Sequence, residues 1–243
     1  MLPRTGFHYF LSGFKWIFQP GIKRYIVIPL LLNILLFIAL FFIARHFMGE
    51  FNHWMQGLLP AWLQWLSIIM WLLFGISFVL AWVYTYVMVA NLIAAPFNSL
   101  LSEKVTKLLG GTPIENEGWV MSMKDILRSF GRQFSFLAYY LPRAIGLGIL
   151  FFIPLVQFIA PVLWFLFNAW FMALQYVDYP TDLQRIPLRQ VRHELNAKRV
   201  LNLSFGMSVL VGSMIPVVNL FAMPAAVAGA TELWFREYSR EYR

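Results

Sequence analysis

Ile153-Pro154-Leu155-Val156-Gln157-Phe158-Ile159-Ala160-Pro161 and Ile215-Pro216-Val217-Val218-Asn219-Leu220-Phe221-Ala222-Met223-Pro224 each lie near the middle of a long uncharged stretch. A shorter echo, Asn91-Leu92-Ile93-Ala94-Ala95-Pro96, precedes them. Proline removes a backbone donor and disfavours helix in the residue before it, so two prolines flanking an amide residue in an apolar run predict a turn at membrane depth. Non-helical backbone is tolerated there only where protein or a water-filled path covers it. Transport is the first function these phrases suggest.

The surrounding composition fits that setting. Hydrophobic residues make up 60% of the 243 and charged residues 12%, about half the share usual in a soluble domain. The chain therefore reads as an all-α integral membrane protein. No Lys, Arg, Asp or Glu occurs between Glu50 and Glu103, between Arg143 and Asp178, or between Arg199 and Glu232. The net charge of +8 comes from basic residues that flank these runs, as cytoplasmic loops do, so membrane lipid and not nucleic acid is the expected partner. Zero cysteines exclude disulfides, thiolate metal sites and a cysteine nucleophile.

Residues 1–24 read as an amphipathic segment with no removable signal peptide. The apolar run at 25–44 has the length of one full crossing, and a second, from about 62 to 95, exceeds one crossing and predicts a tilted or kinked helix. A short segment carrying Arg45, His46, Glu50 and His53 is expected between them. The basic N-terminus and the basic block at 103–143 place both on the cytoplasmic side.

The runs at 144–177 and 200–231 pose a geometric problem. The first lies between basic blocks that should be on one side, yet its 34 residues give about 51 Å of helix, whereas two crossings need about 60 Å; the second has nearly the same length and the same central phrase, and ends at the mixed-charge tail Arg236–Arg243. Two re-entrant helical hairpins, penetrating without fully crossing, resolve it; the other solution is two ordinary helix pairs with Pro-containing turns. Arg143 belongs either at the headgroup boundary or to a functional path, since a lone arginine at membrane depth costs about 2.5–3.5 kcal/mol.

Enzyme signatures are missing: no phosphate-binding Gly-rich loop with Lys-Ser/Thr, no Gly-x-Gly-x-x-Gly, no His-Glu-x-x-His and no Gly-x-Ser-x-Gly. A non-enzyme without cofactor, metal or catalytic residues is expected. Gln19-Pro20-Gly21-Ile22-Lys23-Arg24 does carry a mechanism. It precedes the first span, where free helix-start N–H groups and a partial positive charge suit a tetrahedral oxyanion, and Gly21 permits close approach. The alternative is a basic pair snorkelling to lipid phosphate. Lys124, Arg128 and Arg132, spaced by four, share one helical face and read either as an interfacial amphipathic helix or as an anion vestibule. Glu103, Lys104 and Asp125 could supply counter-charges there, and Asn91, Glu103, Arg128, Arg132 and Arg143 are candidate groups of a conduit or its support.

Ser12-Gly13 with Gln19–Arg24, Ala95-Pro96-Phe97-Asn98, Tyr140-Leu141-Pro142-Arg143-Ala144, Ala160-Pro161-Val162-Leu163-Trp164-Phe165, Gln175-Tyr176-Val177-Asp178-Tyr179-Pro180 and Asn219-Leu220-Phe221 together resemble the CysZ sulfate transporter family of the bacterial inner membrane. The resemblance runs essentially end to end. It implies sulfate uptake supplying cysteine biosynthesis, with no nucleotide-driven subunit, by a channel or secondary transporter. It also implies two transmembrane helices plus two hemi-penetrating pairs, and a homo-oligomer of dimers upward. The family's Gly-Leu-Arg motif followed by a basic residue falls on Gly21, Ile22, Lys23 and Arg24, which makes these the implied sulfate-binding residues. Lys23 departs from it, a point charge replacing a bidentate fork. The competing reading is a membrane scaffold or regulatory subunit of another permease.

Overall fold

The computed structural model describes residues 5–58, 64–111 and 123–239. No strand occurs among them, and four helices are long and apolar enough to cross a membrane, over Arg24–Phe51, Ile68–Leu108, Ala160–Leu183 and Pro216–Glu237. The protein is an all-α membrane protein. Helix α1 spans Gly6–Ile17, with Thr5 capping it by accepting from the His8 N–H at 3.4 Å. Helix α2 spans Arg24–Leu58 and α3 spans Gln64–Leu108. Arg45, His46, Glu50 and His53, expected in a connecting segment, continue α2 as helix, because no Pro or Gly pair interrupts the pattern there. Likewise α3 runs past Pro96, whose missing N–H forfeits one backbone bond without ending the helix.

The end of α3 is set by Gly110, at φ +86°: Gly111 N–H donates to Thr106 O and Gly110 N–H to Lys107 O, satisfying the last carbonyls. Helix α4 spans Met123–Leu150 and α5 spans Ala160–Leu183. Between them the Pro154–Pro161 phrase forms the turn its prolines predict, with Leu155 at φ +71° and a single 3-10 turn over Val156–Phe158. Helix α6 spans Leu188–Ala197, α7 Arg199–Met214 and α8 Pro216–Glu237. The second phrase behaves differently from the first. Its turn is the single extended residue Ile215, Pro216 starts α8, and Asn219 and Pro224 lie inside the helix. A proline at the first helical position sacrifices an N–H that has no helical partner anyway.

The chain divides into two compact units, 24–97 and the remaining residues taken together. In the first, α2 and the matching part of α3 run antiparallel along an aromatic seam. Phe37 lies 5.3 Å from Trp82, and Phe51 stacks on Phe74 at 3.6 Å. Their outward faces are apolar and exposed, Leu35, Phe42, Leu72 and Leu80 among them, as lipid contact requires.

The other unit holds the buried core. Helix α1 packs on α8 and α7, and α5 on α7 and α8, through backbones brought together by glycine. A Cβ on Gly206 would stand 1.7 Å from Ala169 O, one on Gly13 1.9 Å from Ala225 O, and one on Gly229 2.4 Å from Tyr9 O. Tyr9, Ile17, Leu174, Phe205 and Trp234 fill the space between. Asn202 is fully buried there; its amide donates to Leu195 O and to Tyr238 OH.

Candidate functional site

The segment that joins α1 to α2 is a turn held at both ends. Gln19 N–H donates to Trp16 O at 3.0 Å, and Ile22 N–H donates to Gln19 O at 3.2 Å. Ile17 and Ile22 are buried, which pins the segment, while Pro20, Gly21, Lys23 and Arg24 are exposed. Gly21 takes φ +84°, the left-handed region that a side chain rarely adopts, and a Cβ there would meet nothing within 4 Å. Helix α2 starts at Arg24, so the segment expected at the helix start, Gly21 to Lys23, and Pro20 before it form a turn, and only Arg24 belongs to the first helical turn. The Ile22 amide is occupied by the turn itself. The outward donors are accordingly those of the first residues of α2, which have no partner inside the helix. The Arg24 guanidinium donates to Tyr25 OH at 2.8 Å and lies 4.8 Å from that ring, and the residue is exposed.

Of the other sequence candidates, Arg132 is the most engaged. Its Nε donates to both Asp178 oxygens, at 2.8 and 2.9 Å; Nη1 donates to Ile186 O at 2.7 Å, and Nη2 to Thr181 Oγ1 at 3.2 Å. Asp182 adds a second carboxylate at 3.4 Å. This side chain ties α4 to α5 and to the segment after it, and offers little to a passing anion. Glu103 pairs with Lys107 one turn along α3 at 2.5 Å. Arg143 is exposed on α4, donating to Tyr139 O at 2.8 Å. The side chains of Asn91, Lys124, Asp125 and Arg128 lie outside the described residues, although their backbones belong to α3 and α4.

Two clusters escaped the sequence. Glu232, only 3% exposed, accepts from Ser12 Oγ and from Trp16 Nε1 (2.8 Å) through one oxygen and from Arg236 Nε (2.6 Å) through the other. Asn98 donates to Tyr179 OH at 3.3 Å, and Ser102 bonds Thr231 at 2.9 Å. The signal for Glu232 was its place as a single acid four residues before Arg236, at the end of an apolar run. Its partners on α1, more than 200 positions away, carry no local mark.

With this geometry in view, the family comparison is decisive: the family described as "Sulfate transporter CysZ/Etoposide-induced protein 2.4" matches residues 9–224. The chain belongs to that family. The match covers most of α1, the Gly21–Arg24 turn, both Pro-containing turns and α8 through Pro224. In this member of the CysZ family, the buried carboxylate of Glu232 secures the C-terminal half of α1 through Ser12 and Trp16.

Proposed function

We propose that the protein carries sulfate across the bacterial inner membrane, as a channel or secondary transporter that supplies sulfate for cysteine biosynthesis. The observation that supports this reading most strongly is the open left-handed turn at Gly21, followed after buried Ile22 by the exposed basic pair Lys23 and Arg24, where a long apolar helix begins. A tetrahedral dianion there meets outward N–H groups, the positive end of α2 and a guanidinium able to bridge two oxygens. Arg24 is the main side-chain ligand and Lys23 a weaker point charge. Glu103, balanced by Lys107, and Arg132, balanced by Asp178, support the structure and do not bind sulfate.

In this reading the two proline turns are the tips of re-entrant hairpins. Although α8 as a whole is long enough to cross, the charge-free parts of the two limbs, 200–214 and 216–231, offer only about 23 and 24 Å of helix, short of the roughly 30 Å core. Gln157 and Asn219 lie exposed at or near these tips, where lipid would leave their amides unsatisfied. A homo-oligomer covers them. Calorimetric titration of sulfate into folded protein tests the site: Arg24→Ala is expected to weaken binding by about tenfold, or 1.4 kcal/mol. Gly21→Val weakens it too, by straining φ and walling off the turn. Unchanged affinity in both variants refutes the assignment.

A further inference from the structure

Arg132 on α4 has its charge balanced by two aspartates; Arg143, about 16 Å further along the same helix toward the tip, has no such balance among the described residues. Its guanidinium carbon lies 4.0 Å from the centre of the Tyr139 ring. A second guanidinium, that of Arg192 on α6, lies 4.6 Å from the same ring centre. Two like charges are thus gathered within about 9 Å, and no ion pair involves either of them among the described residues. The Tyr139 ring is held in place, because Trp170 Nε1 donates to Tyr139 OH at 3.0 Å. Glu194, two positions from Arg192 on α6, forms no ion pair with it, because residues two apart on a helix do not face each other.

We propose that Arg143 and Arg192, held on Tyr139, form a second site, one that takes a tetrahedral oxyanion. That ligand is a phosphate or sulfate group, free in solution or carried as the headgroup of an anionic lipid. Aromatic stacking satisfies the guanidinium faces but leaves their edges to donate, and Arg143 spends only Nη1, on Tyr139 O. Edge donors from two elements, α4 and α6, suit the several oxygens of one such group. Two positive charges gathered at one ring are stabilised by an anion that the donors of both can reach. The site is separate from Gly21–Arg24 and does not depend on the transport reading.

Phenylglyoxal labelling of the wild-type full chain, mapped by mass spectrometry, tests it without a mutation. In lipid-stripped protein, sulfate or inorganic phosphate should slow modification of both Arg143 and Arg192 about threefold at twice the dissociation constant if the source is a free ion, with exposed Arg185 unaffected. If the source is lipid, nanodiscs containing phosphatidylglycerol protect both arginines and phosphatidylcholine nanodiscs do not. The double variant Arg143→Gln/Arg192→Gln, and separately Tyr139→Leu, should then lose phosphatidylglycerol adducts in native mass spectrometry. Equal modification of both arginines with sulfate, phosphate and phosphatidylglycerol overturns the proposal, as does protection that tracks Arg185 equally.

Discussion

Glu232→Ala should be among the most damaging single substitutions in the buried unit. The carboxylate is 3% exposed and receives donors from Ser12 and Trp16 on α1 and from Arg236 on its own helix. Removing it leaves the Ser12 hydroxyl and the Trp16 indole N–H facing a void, and each lost bond to a charged acceptor is worth about 1.5–3 kcal/mol. Arg236 is 42% exposed and can turn to water, so its share stays below about 1 kcal/mol. The loss should therefore come to about 3–7 kcal/mol. At about 2–4 °C per kcal/mol for a chain of this size, the apparent melting point in detergent should fall by roughly 10 °C or more. Glu232→Gln separates charge from shape: its amide oxygen can still accept from Ser12 and Trp16 while its NH2 faces the mobile Arg236, so the expected drop is less than half as large. Differential scanning fluorimetry on the three proteins measures this. An alanine variant melting within about 2 °C of wild type would refute the assigned role, because the unpaired donors alone exceed that margin.

Other consequences follow from the same contacts. Gly206→Val should prevent stable assembly of α5 on α7, since its Cβ would stand 1.7 Å from a backbone oxygen that cannot move aside; yield of monodisperse protein reads this out. Arg132→Gln leaves Asp178 without its main partner and should cost about 3–5 kcal/mol, whereas adding Asp178→Asn should recover part of the loss; additive melting shifts would show the two do not interact. For the re-entrant hairpins, cysteines placed at Gln157 and Asn219 in this cysteine-free chain should resist an impermeant reagent applied from the far side, and full labelling from that side would establish complete crossings.

How much of this was legible in the sequence depended on how local the cause was. The charge-free runs revealed α2 and α3, because membrane depth forbids unpaired charge, and the Pro154–Pro161 phrase located the turn between α4 and α5 for the same local reason. Ile215–Pro224 looked alike but folds with its turn at one end, since Pro216 is equally at home starting a helix and Pro224 is tolerated within one. The four-residue spacing put Lys124, Arg128 and Arg132 on one helix, yet could not show that Arg132 is bound to Asp178, 46 positions away. Nor could it show that Gly13, Gly206 and Gly229 are contact points between backbones, because a glycine in a helical run bears no mark of what passes beside it. At Gly21–Arg24 the order of residue types was enough to mark the segment, whereas the left-handed φ and the occupied Ile22 amide required coordinates.

The most direct test of sulfate transport is uptake of radiolabelled sulfate into proteoliposomes holding this protein and no other. Wild-type protein should fill the vesicles down an imposed sulfate gradient well above protein-free liposomes, and Arg24→Ala, reconstituted to the same density, should do so several-fold more slowly at sulfate concentrations below saturation. Uptake by wild-type protein indistinguishable from empty liposomes, with fold and sulfate binding intact, would contradict the account and favour a scaffold or regulatory subunit that needs a partner permease.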